Sequence, residues 1–148
     1  MASGFAQGTL VTYLAELSGN AKKIMLLRNT YTFDPDHKFV SSIVANECNA
    51  TNYTGGFGGA GRKSLTGQSI TEDTANNRAT YDATDPAAWT ALGGATNNTL
   101  RYAAIIEEIT NDAASRVVAI LDFGADYNTN GGDFSVAFNA LGIGYIQC

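Results

Sequence analysis

Apolar residues in this chain come in short runs, each closed within a few residues by Gly, Asn, Asp or Pro. No run sustains the 3.6-residue spacing of a long amphipathic helix. Ile24-Met25-Leu26-Leu27 has the length of a buried strand, and the segments at 100–109, 117–123 and 134–138 read the same way. In Phe134-Ser135-Val136-Ala137-Phe138, alternation puts the two Phe and Val136 on one face of a half-buried strand. Two further segments, 65–71 and 78–83, are separated by Glu72-Asp73-Thr74-Ala75-Asn76-Asn77 and predict a hairpin, after which Trp89 belongs to another short strand.

Short strands with frequent turn signals indicate an all-β chain, an antiparallel β-sandwich or a barrel-like Greek key with long loops. Residues 1–20 are expected to form an N-terminal arm or a short helix, and 21–148 a single β domain. A helix over 9–17 would align Leu10, Tyr13, Leu14 and Leu17, and an extended arm fits the same residues. Asp34-Pro35-Asp36 predicts a turn. Residues 39–44 fit a helical turn or a strand. The Gly-, Asn- and Thr-rich stretch from Cys48 to Gly61 has no burying period and predicts a long surface loop, with Tyr53 and Phe57 as anchors or contact residues. The segment from Asp126 to Asp133 reads as a connection.

With 148 residues the chain is long enough to bury a core without metal or disulfide staples. Charged residues make up only 16% of it, so neutral polar groups must cover much of the surface, a composition suited to packing against other chains. The net charge of −5 argues against nucleic acid, since phosphate neutralisation needs clustered cations. Lys22-Lys23 and Arg62-Lys63 are the only adjacent basic pairs, too sparse to line a groove. The start lacks a basic region, and the apolar stretch 10–17 is broken by Thr12, Tyr13 and Glu16, so neither a signal peptide nor a membrane span is expected. Cys48 and Cys148 imply no disulfide framework, and whether they pair depends on the fold. Asn-x-Thr triplets at Asn49, Asn52 and Asn97 have meaning only on a secretory route.

Several arrangements resemble catalytic or binding motifs and lack the context these require. Gly56-Phe57-Gly58-Gly59-Ala60-Gly61 has dinucleotide-binding spacing, but a Thr/Asn loop precedes it and Gly67 falls where a helix should run. Asp126, Asn128, Asn130 and Gly131 match the opening of an EF-hand loop, but Ala137 stands where its closing Glu belongs, which favours a hairpin turn. His37, the only histidine, has no nucleophile motif beside it, and one His with two distant Cys makes a poor zinc set. Asp82, Asp85, Asp122 and Asp126 are ordinary strand-end and turn acids unless they converge. Glu107 and Glu108 are adjacent and point to opposite faces, which does not suit a carboxylate pair. The expectation is therefore a non-enzyme without cofactor or metal.

Residues 24–28 and the following Asn29-Thr30-Tyr31-Thr32-Phe33-Asp34-Pro35-Asp36-His37 form the first part of an ordered set of motifs. Asn46-Glu47, Tyr53-Thr54-Gly55-Gly56, Leu65-Thr66-Gly67, Ala83-Thr84-Asp85 before Trp89, and Gly131-Gly132-Asp133-Phe134 before Asn139-Ala140 complete it. In that order they resemble a family of small tailed-bacteriophage virion structural proteins, over about residues 24–143. The resemblance implies a virion component with no catalytic residues and leaves head, neck and tail open. The placement preferred here is a capsid decoration or cement protein on the outside of the shell, bound to the major capsid protein, commonly as a homotrimer, and made in the host cytoplasm. Phe5, Leu10, Tyr13, Tyr53 and Phe57 are the candidate partner contacts. Alternatives are a tail or neck component and, in another class, a carbohydrate- or receptor-binding module, which would need Trp89, Tyr102 and Tyr127 exposed on one face.

Overall fold

The computed structural model describes residues 11, 12, 14, 15 and 19–147. Its strands are β1 (Lys23–Arg28), β2 (Lys63–Ser64), β3 (Ser69–Asp73), β4 (Arg78–Asp82), β5 (Trp89–Leu92), β6 (Thr99–Glu107), β7 (Arg116–Asn128), β8 (Gly132–Phe134) and β9 (Gly144–Gln147). Two 3-10 turns, η1 (Val40–Ser42) and η2 (Val44–Asn46), lie between β1 and β2. All strand pairs are antiparallel, in three sheets ordered β2-β1-β6-β7, β3-β4-β9 and β5-β8. The fold is all-β and sandwich-like in character, and none of the three sheets closes into a barrel.

The chain divides into two compact units, each discontinuous in sequence. The larger comprises Lys22–Ser64 and Pro86–Val136; the smaller comprises Leu65–Asp85 and Ala137–Cys148 together with Met1–Ala21.

In the larger unit the apolar runs become the central strands β1 and β6, and Ile24, Met25, Leu26, Leu27, Ala103, Ala104, Ile105 and Ile106 are fully buried. Strand alternation sends Met25, Leu27, Ala104 and Ile106 to one face, joined by Tyr102, Val117 and Ile120. Tyr31, Val40, Ile43 and Val44 cover that face. Residues 39–44 thus take the helical-turn alternative, preceded by a bridge between Phe39 and Arg116. Fully burying side chains of this size contributes roughly 1.5–3 kcal/mol each, and Ile24, Leu26 and Ile105 on the opposite face of the sheet are equally buried.

In the smaller unit β3 and β4 form a hairpin where one is predicted, but its first strand begins at Ser69 and not at residue 65, and it takes in Glu72 and Asp73 of the expected connection. Asp73 accepts the backbone N–H of Asn76, and Asn77 takes the left-handed conformation at φ 50°. Val11, Thr12, Leu14 and Ala15 are helical, and Leu14 packs with Ala79 against Val11, Ile70 and Ile146. The short-helix alternative holds for those residues.

Several other expectations change. The strand expected over 100–109 ends at Glu107, which leaves Glu108 and Ile109 in the connection, and β7 runs on to Asn128, so the expected connection at 126–133 is partly strand. The strand expected over 134–138 stops at Phe134: the burial alternation continues, with Val136 buried, but the Phe138 N–H goes to the Asp85 carboxylate and leaves the sheet. The 48–61 stretch is not simply a surface loop, since Cys48, Ala50 and Tyr53 are buried.

Candidate interaction surface

Residues 48–61 carry no charge, and the two charged residues that bracket them, Glu47 and Arg62, meet inside the larger unit. Arg62 Nε and Nη2 donate to the two Glu47 carboxylate oxygens at 2.9 and 2.8 Å. Nη1 donates to Glu108 at 2.9 Å and to Asp112 at 2.6 Å, and Nη2 reaches the second Asp112 oxygen at 3.2 Å. The planar fork of a guanidinium allows this, because its five donors can engage several carboxylates at once. Glu47 also accepts from the Tyr53 hydroxyl and the Gly56 N–H, and Glu108 from Lys23 and the Gly58 N–H. The Tyr53 hydroxyl in turn accepts the Leu26 N–H at 3.2 Å, tying the loop to β1. Trp89 Nε1 donates to the Gly61 carbonyl at 2.6 Å. Glycine is required at 61, where a Cβ would stand 2.7 Å from the Tyr53 ring.

The Arg62 side chain has no solvent exposure. Burial alone would lower its pKa, but the bonds to Glu47 and Asp112 outweigh that and hold the guanidinium charged. Burial likewise favours the neutral Glu108 carboxyl, yet the bonds from Lys23, Arg62 and Gly58 prevail and hold it below the ordinary carboxylate value of 4.5. Burial first, then the Glu47 charge, pushes the Tyr53 phenol well up. A carboxylate whose folded pKa is depressed adds stability above its unfolded pKa and loses it as pH falls through the folded one. The denaturation midpoint is therefore expected to be flat from pH 7 to about 5 and to drop below about 4.5, more steeply in wild type than in Glu108→Gln, as urea titrations across that range would show.

The clamp gathers three loops. Arg62 ends the glycine loop, Glu108 and Asp112 belong to the β6–β7 connection, and the Asp112 carbonyl accepts the Ser41 N–H of η1. Each loop exposes at least one large apolar side chain: Phe57 at 46%, Ile109 at 48%, and, between β1 and η1, Phe39 at 44% together with Phe33 at 59%. Phe57 adjoins Gly58, which bonds to Glu108 beside Ile109; the Ile109 N–H bonds to the Ser115 hydroxyl, and the Ser115 carbonyl accepts the Val40 N–H beside Phe39. These bonds place the three residues at one end of the four-stranded sheet, on loops bonded to one another.

Of the candidate contacts, Tyr53 is 7% exposed and anchors the loop, and Phe57 is exposed. Phe5, Leu10 and Tyr13 lie outside the described residues. Sequence reasoning did not select Phe39 and Ile109, because an apolar residue next to a turn looks the same whether it faces a core or solvent.

The other motifs separate. Trp89 is 1% exposed, Tyr102 packs edge-on against Tyr31 in the core layer, and Tyr127 is 47% exposed, so the three do not form one exposed platform. Tyr127 instead contacts Phe123 and Phe134. The glycine loop leads into β2 and not into a helix. His37 is engaged locally with the Tyr31 hydroxyl at 3.2 Å. Cys48 is a free, buried thiol pushed up to about 11, chiefly by burial, and is a poor nucleophile there; Cys148 lies outside the described residues. Asp126 and Asn128, two of the EF-hand-like positions, are bonded to Asn29 and Thr99. Asp122 and Asp126 both face Arg101, and the Asp122 carboxyl is lowered by Arg101 and the Gly124 N–H. Among the described residues no group of three or more His, Cys, Asp or Glu is placed to hold a metal, and no helix is long and apolar enough to cross a membrane. Of the basic pairs, Lys22 and Arg62 are buried and Lys23 is bonded to Glu108. Burial lowers the Lys22 ammonium, against the charge of Glu107.

Fold and site together define an all-β protein in which a buried arginine and three carboxylates join three loops that carry exposed apolar side chains. No protein family, curated protein or solved structure matches the chain.

Proposed function

We propose that this chain is a bacteriophage virion structural protein, a capsid decoration protein that binds the major capsid protein on the head shell through the end of the larger unit bearing Phe39, Phe57 and Ile109. The ordered motifs of residues 24–143 support a virion role. The observation that carries the contact surface is the clamp: a buried arginine and three carboxylates fix three loops that each present an exposed apolar side chain. Preorganised apolar groups bind with little ordering entropy to overcome, and a decoration protein stabilises its shell by mass action. Repetition over a symmetric shell lets modest contacts suffice. A tail or neck position uses the same surface on a different partner.

Shells assembled from the phage's major capsid protein and sedimented with the purified chain test this reading. Wild type is expected in the pellet, and the triple variant Phe39→Ser, Phe57→Ser, Ile109→Ser in the supernatant with its far-UV spectrum retained. Equal pelleting of the two would remove this surface from the account. Failure of wild type to bind would remove the capsid placement.

A further inference from the structure

The four-stranded sheet has two unlike edges. One is closed by β2, a strand of two residues. The other is β7, thirteen residues long. Its start is covered, since the Val117 N–H donates to the Lys38 carbonyl and Phe39 bridges Arg116. Its far part is deflected, because residues 123–126 bulge out opposite Arg101 alone, with Gly124 at φ 77°. Between these lies Val118-Ala119-Ile120-Leu121-Asp122, where the described residues show no backbone partner other than β6. Edge strands are ordinarily guarded by charge, proline, bulges or shortness. This window has a bulge at Val118 and a charge at Asp122, one at each end, and between them Ala119, Ile120 and Leu121 are unguarded and partly accessible, whereas their β6 partners Ile105, Ala104 and Ala103 are fully buried.

The geometry points to a second copy of this chain as the occupant, pairing β7 with β7 in antiparallel fashion about a two-fold axis at Ile120. Five residues is a normal strand length, and the window is centred on Ile120. In that register Ile120 meets Ile120 of the other copy and the small Ala119 meets the larger Leu121, both on the same face of the joined sheet. The charges agree in sign. Arg101 offsets only one of the two carboxylates Asp122 and Asp126, and each copy's Asp122-to-Asp126 stretch is directed toward the end where the other exposes Lys38 and Arg116, neither of which has an ion pair among the described residues. A parallel pairing in register would instead set Asp122 against Asp122. The two-fold consumes both β7 edges, so the assembly closes at two copies in place of the homotrimer expected with the decoration-protein placement. It does not depend on the proposed capsid role.

Sedimentation velocity of the purified chain over a hundredfold concentration range is the test. Wild type is expected to move from monomer to dimer, and Ala119→Lys to raise the dissociation constant at least tenfold with an unchanged far-UV spectrum. Ile120→Cys in a Cys148→Ser background is expected to give a disulfide-linked dimer on mild oxidation, and Val118→Cys in the same background is not. A monomer at every concentration, a trimer, or an open polymer would overturn the pairing. So would equal cross-linking at 118 and 120. The cysteine pair keeps the test decisive if Ala119→Lys fails to fold.

Discussion

Arg62→Met is expected to cost about 3–5 kcal/mol of folding stability, because it leaves Glu47, Glu108 and Asp112 facing one another with their shared cation removed. Small domains hold about 5–15 kcal/mol in total, so the variant should lose a large fraction of its stability and unfold at a much lower urea concentration than wild type. Urea titration read by fluorescence suits the measurement, since Trp89 is the only tryptophan and its indole bonds to Gly61, beside Arg62. The effect is specific to the broken pairing. Adding Glu47→Met to Arg62→Met removes one of the stranded charges and should recover part of the loss, an interaction energy well above the few tenths of a kcal/mol seen between independent sites. A drop of less than about 1 kcal/mol for Arg62→Met would mean that the guanidinium does not organise the three loops.

Trp89→Ala should be comparably severe, at about 3–5 kcal/mol, for a different reason. The ring is 1% exposed and stands edge-on to Phe134 across the β5–β8 pair, so truncation opens a cavity and removes the bond to the Gly61 carbonyl. Trp89→Phe separates the two contributions: it keeps much of the volume but leaves the carbonyl without its donor, a loss of about 1–3 kcal/mol. Calorimetry or circular dichroism must read both variants, since the fluorophore is gone. Phe57→Ser provides the contrast, because its ring is largely in solvent and substitutions at such positions usually stay within about 0.5 kcal/mol.

The strands were legible where one physical signal dominated. Residues 24–27 and 100–106 are apolar enough to be held in central strands and lie in β1 and β6, whereas Glu108 and Ile109, expected in the same strand, fall in the connection after it. The hairpin at 69–82 was legible from its turn residues. The clamp was not, although its ends were in view: Glu47 and Arg62 bracket an uncharged stretch, a pattern that shows two isolated charges and gives no sign that they converge. Convergence with Glu108 and Asp112 depends on β1 lying beside β6, a long-range pairing that local sequence does not encode. The end of β8 was missed for a similar reason. The alternation at 134–138 is real in burial, but the chain leaves the sheet because Asp85, distant in sequence, takes the Phe138 N–H. Phe57, like Tyr53, reads in the sequence as an anchor or a contact residue of a polar loop, whereas Phe39 and Ile109 acquire their meaning only once three loops meet.

Cryo-electron microscopy of the intact particle, with density for this chain identified by the shape of its four-stranded sheet, tests the virion reading most directly. The account predicts copies at regular positions over the head shell, with the Phe39, Phe57 and Ile109 end against the major capsid protein. Density confined to the neck or tail would contradict the capsid placement, and absence from the particle would contradict the virion role itself.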